Sequence, residues 1–429
     1  MVRMKQTMLI ELTHENPAGK NYFHATLGLP ATEYEIRDAY QRARITGTDD
    51  SYQEISVLDC PLMEDLYAKR LDSPTIDELN FLAKRLASLN EEEQLVLRAV
   101  YSKVITDDAN ELVSMKDLIN CTYGLDTVMI AGGMTTDEQL GEFVIENELN
   151  DDVTAIPEDS MYLLDKAKIG KMQRESESGV FLNGFYIIVD SYEMPEKYDG
   201  VTLPESPTEK WFAFKLKIAA PPKEDIEETA GSAKWLTLPV SRKEADKKAK
   251  QLGMKRIEEC VYLDFESSIP QISEEQFGDM ADFNKLNRLA ELMPYLSPQD
   301  QVMFKAVLEA EQPADIDGVL SAIYSLTKYE ISTYAGNEGA FFLEYLEHHL
   351  DSRFDKAWLD TILARNEGKQ LLEKLGATLT EYGIISARGR SLYELVPYHE
   401  ENTQFEDSDV QSEEDDTQSE DCGIQMGGM

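Results

Sequence analysis

The feature that most constrains this chain is that it contains itself twice. Leu79, Leu82, Leu86 and Leu89 are spaced 3, 4 and 3, and Leu286, Leu289, Met293 and Leu296 repeat that spacing 207 residues later. Asn80 and Ala83 recur as Asn287 and Ala290 at the same offset. Each run is followed by a helix-start signal: Asn90 before three glutamates, with Glu93 at the capping-box position, and Ser297 before Pro298, with Asp300 three residues on. Val96, Ala99 and Val100 then match Met303, Ala306 and Val307. Two amphipathic helices in a hairpin therefore recur.

The matches continue in both directions. Leu29-Pro30 pairs with Leu238-Pro239, each ahead of a residue suited to cap a helix, Thr32 or Ser241. Leu58-Asp59 pairs with Leu263-Asp264, residues 118–125 with 319–326, and Gly184 with Gly383. A heptad coincidence would give the leucines but not an ordered series of further matches. Each copy reads as a strand, a Leu-Pro turn into a helix, a second strand (53–59; 256–265), a helical middle and an aromatic-rich extended end. The fold class is α+β. Copy one spans 1–200, divided near 70 and 130 into mixed, helical and mixed parts, and the diverged copy two spans 206–400. The junction starts near 198–210, and 208–222 holds the first strand of copy two, the counterpart of residues 6–14.

Charge sets the next limit. The 429 residues carry 41 Lys and Arg against 82 Asp and Glu, a net of −41. Residues 1–200 carry −20, 201–400 carry −11 and 401–429 carry −10. The last segment has almost no large apolar residues and reads as a disordered acidic tail. The balance argues against a nucleic-acid binder, which needs clustered Lys and Arg, and against an anionic membrane surface. No run of 18 apolar residues occurs, so no span is expected, and the N-terminal apolar run is too short for a signal-peptide core. The four cysteines, Cys60, Cys121, Cys260 and Cys422, are scattered, with no CxxC pair. A reduced cytoplasm is the expectation.

Chemistry is hard to find. There is no phosphate-binding glycine loop, no HExxH and no GxSxG. His348-His349 are adjacent and point about 100° apart on a helix, which makes a poor metal clamp and reads as a solvated helix end. Cys60 and Cys121 lie in apolar runs and read as buried thiols. The tail's acids lack the glycine and ligand spacing of a calcium loop. No catalytic residue, cofactor or metal ligand is expected. The one basic block, 241–256, reads as a solvated face or an intramolecular partner for acidic surface.

The acids of copy one run along successive elements: Glu33, Glu35 and Asp38; Asp49 and Asp50; Glu64 and Asp65; Asp77 and Glu78; Glu91, Glu92 and Glu93; Asp107 and Asp108; Asp137, Glu138, Glu142, Glu146 and Glu148; Asp151 and Asp152. Several lie three or four apart, where like charges cost helix stability, so folding alone gives no reason to keep them. A partner built to grip phosphates does. Duplex DNA carries two charges per base pair, so the excess on residues 1–400 corresponds to roughly fifteen base pairs.

The order of several short motifs resembles an ArdA-type antirestriction protein of bacterial mobile elements. They are Leu29-Pro30, the helix of residues 76–83, Leu140-Gly141, Ile156-Pro157-Glu158, the Asp165 to Gly170 stretch and the glycine-containing strand 181–187. The resemblance covers most of residues 6–190. It implies an elongated three-part α+β fold that mimics bent B-form DNA, acts as a dimer and occupies the DNA-binding groove of type I restriction–modification enzymes. It implies no catalysis and no cofactor, with the acids above standing in for phosphates. The chain departs from the family in having two copies and a tail, and in a basic first helix in copy two. A tandem acting as a covalent pseudo-dimer is the expectation, with a homodimer through copy one as its competitor. The alternative functional reading is an interaction or scaffold protein of the same fold without antirestriction activity. An enzyme would need a concave site with convergent polar groups.

Overall fold

The computed structural model describes residues 5–15, 22–45, 53–105, 112–204, 211–221, 233–273, 282–350, 365–386 and 389–396. The tail and the acids Asp49, Asp50, Asp107 and Asp108 lie outside them. The chain is α+β, and Met1–Glu394 forms one compact unit.

The first copy begins with β1 (Met8–Glu15), β2 (Tyr22–Leu29), α1 (Glu33–Arg42) and β3 (Gln53–Asp59). β1 alternates buried and half-buried residues, so its Met8, Ile10 and Leu12 face one core. β1 is the centre of an antiparallel sheet of order β2-β1-β3. The helical middle is α2 (Ile76–Ser88), α3 (Glu91–Val100) and α4 (Met115–Asn120). The end part holds β4 (Met129–Gly132), α5 (Asp137–Glu146), α6 (Asp151–Thr154), α7 (Lys166–Ser176), β5 (Val180–Leu182) and β6 (Phe185–Ile188). Its sheet runs β4-β6-β5.

The second copy repeats this order. It has β7 (Phe214–Ala219), β8 (Lys234–Leu238), α8 (Arg242–Gln251) and β9 (Val261–Ser267), in a sheet of order β8-β7-β9. Helices α9 (Phe283–Leu292), α10 (Pro298–Glu311) and α11 (Ile316–Tyr324) follow. Then come β10 (Ile331–Ser332), α12 (Glu338–His349), α13 (Arg365–Leu375), β11 (Thr378–Thr380) and β12 (Gly383–Ile385), in order β10-β12-β11.

Local details recur too. Leu29-Pro30 and Leu238-Pro239 are both cis. The outer strand skips one residue at a bulge in each sheet: Asp59 and Val57 pair with Leu9 and Ile10, bypassing Leu58, and Asp264 and Tyr262 pair with Lys217 and Ile218, bypassing Leu263. The Asn80 side chain, buried behind the Leu-Pro turn, accepts from Ala31 N at 2.7 Å and donates to Ala31 O at 2.9 Å. Asn287 makes the first of these bonds, to Val240 N at 2.9 Å. In the end parts, α5 and α7 approach so closely that a Cβ on Gly141 would lie 1.8 Å from Lys166 O, and one on Gly170 1.8 Å from Asp137 O. A Cβ on Gly368 would lie 2.1 Å from Glu338 O. Gly339 and Gly368 stand 29 residues apart, as do Gly141 and Gly170.

One expected match shifts. Leu182 pairs with Phe185 around the turn Asn183-Gly184, both with positive φ, whereas Thr380 pairs with Gly383 around Glu381-Tyr382. Gly184 is therefore the counterpart of Tyr382, not of Gly383.

Candidate functional site: an acidic surface and an inter-repeat lock

The candidate acids of the first repeat fall into three physical groups. The first belongs to helix starts. Glu35, Glu78 and Glu93 each close a capping box with Thr32, Thr75 and Asn90. Glu78 also accepts from the Tyr198 hydroxyl at 2.8 Å. Glu33, Asp77, Glu91, Glu92, Asp137, Glu138, Asp151 and Asp152 lie in first turns, where the exposed N–H groups and the positive end of the helix dipole favour a carboxylate. Folding does supply a reason for these acids, contrary to the expectation from spacing.

The second group is neutralised in place. Asp137 receives Nε and Nη2 of Arg174 at 2.7 and 3.1 Å, and this guanidinium holds its carboxyl below the usual range. Glu142 pairs with Lys166 at 2.5 Å, and Asp65 with Lys69 at 3.9 Å. Asp38 is the extreme case. It is 2% exposed and is not part of any surface.

The third group, Glu64, Glu146 and Glu148, has no such support. Glu146 is the last residue of α5, at the dipole's negative end, and Glu148 follows in a left-handed conformation with φ of 51°. Both are exposed, and neither forms an ion pair among the described residues. The helix-start acids Asp151 and Asp152 follow at once, exposed and without ion pairs there, and extend the run. The exposed Glu64 also lies outside any helix.

Asp38 is instead the centre of the contact between the repeats. Lys305 of α10 donates to its Oδ1 at 2.6 Å and to Gln41 Oε1 at 2.7 Å. The Tyr382 hydroxyl donates to the same Oδ1 at 2.6 Å, and Arg42 Nε to Oδ2 at 3.0 Å. Burial pulls the Lys305 ammonium below its usual range, opposed by the Asp38 carboxylate, and burial beside that carboxylate raises the Tyr382 phenol. Around this pair, Tyr34 accepts from Phe212 N at 2.9 Å, and Arg44 donates to Glu381 O at 2.8 Å and Thr333 O at 3.2 Å. Lys305 stood out in the sequence only as a lysine inside the apolar run 303–308.

This contact is heterologous. Repeat one uses α1, Arg44 and the start of β2; repeat two uses α10, the β11–β12 turn, the residues after β10 and those ahead of β7. A pseudo-twofold dimer would use one patch twice. A cavity of about 300 Å³ opens at this seam, lined among others by Tyr34, Arg37, Trp211, Ser268, Phe304 and Lys305. The buried ammonium and the Tyr34 hydroxyl on its wall are engaged in the contact itself.

The remaining candidates are structural. Burial pushes the Cys60 thiol up to about 11 and Cys121 to about 12. His349 is not merely solvated: its ring nitrogens reach Tyr345 O at 2.8 Å and Tyr393 O at 3.2 Å, while His348 stacks on Tyr393. Among the described residues no three His, Cys, Asp or Glu side chains converge as metal ligands would, and no helix is long and apolar enough to cross a membrane. No protein-family model and no curated protein matches the chain.

Proposed function

We propose that the chain is a non-catalytic inhibitor that presents carboxylates of its first repeat to a protein built to grip DNA phosphates, with the DNA-binding groove of a type I restriction–modification enzyme as the target. The carrying observation is the pair Glu146 and Glu148, both exposed and in no ion pair among the described residues, continued by the exposed helix-start acids Asp151 and Asp152. Glu146 and Glu148 sit where the helix dipole opposes them. A charge that the fold disfavours and still keeps is best explained by something outside the fold. The acids of the helix starts add to the field but are accounted for without a partner.

Phosphate-gripping lysines and arginines would bind this surface by charge, so binding weakens with salt. The test is displacement of labelled DNA from a type I methyltransferase core by the purified chain, titrated at low and high salt. Displacement at low salt that fades as salt rises is expected. No displacement from several such enzymes at any salt would overturn the proposal and leave an interaction protein whose acids serve its own helices and solubility.

A further inference from the structure

The centre of the repeat contact is one face of α1, through Tyr34, Asp38 and Gln41, which are spaced 4 and 3 along the helix. A heterologous contact leaves one unused copy of each face at the ends of a tandem, and repetition of it builds open chains. The unused counterpart of α1 is α8. Matching the caps Thr32 and Ser241 places Lys243, Lys247 and Lys250 at the positions of Tyr34, Asp38 and Gln41. All three lysines are exposed, and none forms an ion pair among the described residues. The rest of α8 is occupied by the repeat itself: Ala245 and Ala249 are buried, Arg242 pairs with Asp246 at 3.2 Å, and Lys248 donates to Trp235 O at 2.7 Å. At the other end, matching the caps Asn90 and Ser297 places Arg98 at the position of Lys305.

We propose that the three lysines of α8 are a stop that prevents a second copy of this chain from docking head-to-tail. Where the internal contact buries a carboxylate against an ammonium, the external one would bring Lys247 against Arg98. It would also strip water from Lys243 and Lys250 with no acceptor supplied. The three lysines fall on the contact positions, while Ala245 and Ala249 on the opposite side hold α8 against its own repeat. With this stop, a tandem with an exposed copy of its own docking helix is expected to remain a two-repeat unit.

The test uses the full chain with α8 given the α1 chemistry: Lys243→Tyr, Lys247→Asp and Lys250→Gln together. Sedimentation velocity over a hundredfold concentration range is expected to show the natural chain at a constant one-chain mass and the triple variant rising toward two chains. Adding Arg98→Glu to the triple variant places two carboxylates together and is expected to return it to one chain. A triple variant that stays at one chain, or association that ignores Arg98→Glu, would overturn the proposal. So would a natural chain that associates and is dispersed by the triple substitution.

Discussion

The helices α1 and α8 start from the same Leu-Pro turn and the same kind of cap, yet one is buried against the other repeat and one faces solvent with lysines. Asp38 is buried in the seam; Lys247, its counterpart, is exposed. The scaffold of each repeat is set by the residues facing its own core; these are shared in the helical middles, as with Leu79 and Leu286 or Ala83 and Ala290, whereas α1 packs Ile36 and Tyr40 where α8 has Ala245 and Ala249. What each helix does outward is set by three positions that the core does not control. A duplicated fold can thus carry two roles: repeat one supplies the acidic surface, and repeat two supplies the pocket for Asp38.

The largest break in this comparison comes from the seam. Replacing Lys305 with Met leaves Asp38 buried with Arg42 as its only charged partner, and is expected to cost about 3–5 kcal/mol in denaturant unfolding. The double change Asp38→Leu with Lys305→Met is expected to cost less than the single one, because no charge is then left buried. Equal costs would show that the pair does not hold the repeats together. Next is the pair Asn80 and Asn287. Asn80→Ala orphans both the N–H and the C=O of Ala31, at about 1–3 kcal/mol each, whereas Asn287→Ala removes one bond to the turn and an exposed one to Glu291, and is expected to cost about 1 kcal/mol.

Gly141→Ala must push α7 away from α5, for about 1–3 kcal/mol, with faster amide exchange in the first repeat's end part and none in α12 or α13. Asn90→Ala and Ser297→Ala, matched caps in the two repeats, are expected to cost about 1 kcal/mol each by the same measurement. Their near equality would confirm that the local scaffold is shared, and a twofold or greater difference would sharpen where it is not.

Much of this was written in the chain, but unevenly. The leucine runs, Leu-Pro turns and caps are local signals, so the tandem and both helical hairpins could be read directly from residues such as Asn90 and Ser297. The bulge at Leu58 and Leu263 was present as a matched dipeptide whose meaning needed the strand pairing. The twin glycines 141 and 170 recur as 339 and 368 at an unchanged separation, but their role depends on two helices meeting. Asp38 could not be told from its exposed neighbours. Its partners Lys305 and Tyr382 lie more than 260 residues away, and burial at a seam follows from the assembly of two repeats and not from periodicity within one helix. The same limit applied to the acids. Spacing alone treats Glu93 and Glu146 alike, while the helix makes one a cap and the other a charge at the wrong end.

That distinction gives the most direct test. Two sets of variants would be compared for displacing DNA from the same type I methyltransferase core at low salt. One neutralises Glu64, Glu146 and Glu148 as amides. The other neutralises an equal number of helix-start acids, Glu33, Asp77 and Glu91. The proposal predicts that the first set loses at least tenfold in displacement, that the second loses clearly less, and that both keep the fold by circular dichroism. Full displacement by the first set, or equal loss in both, would contradict the claim that the unsupported carboxylates of repeat one are its binding surface.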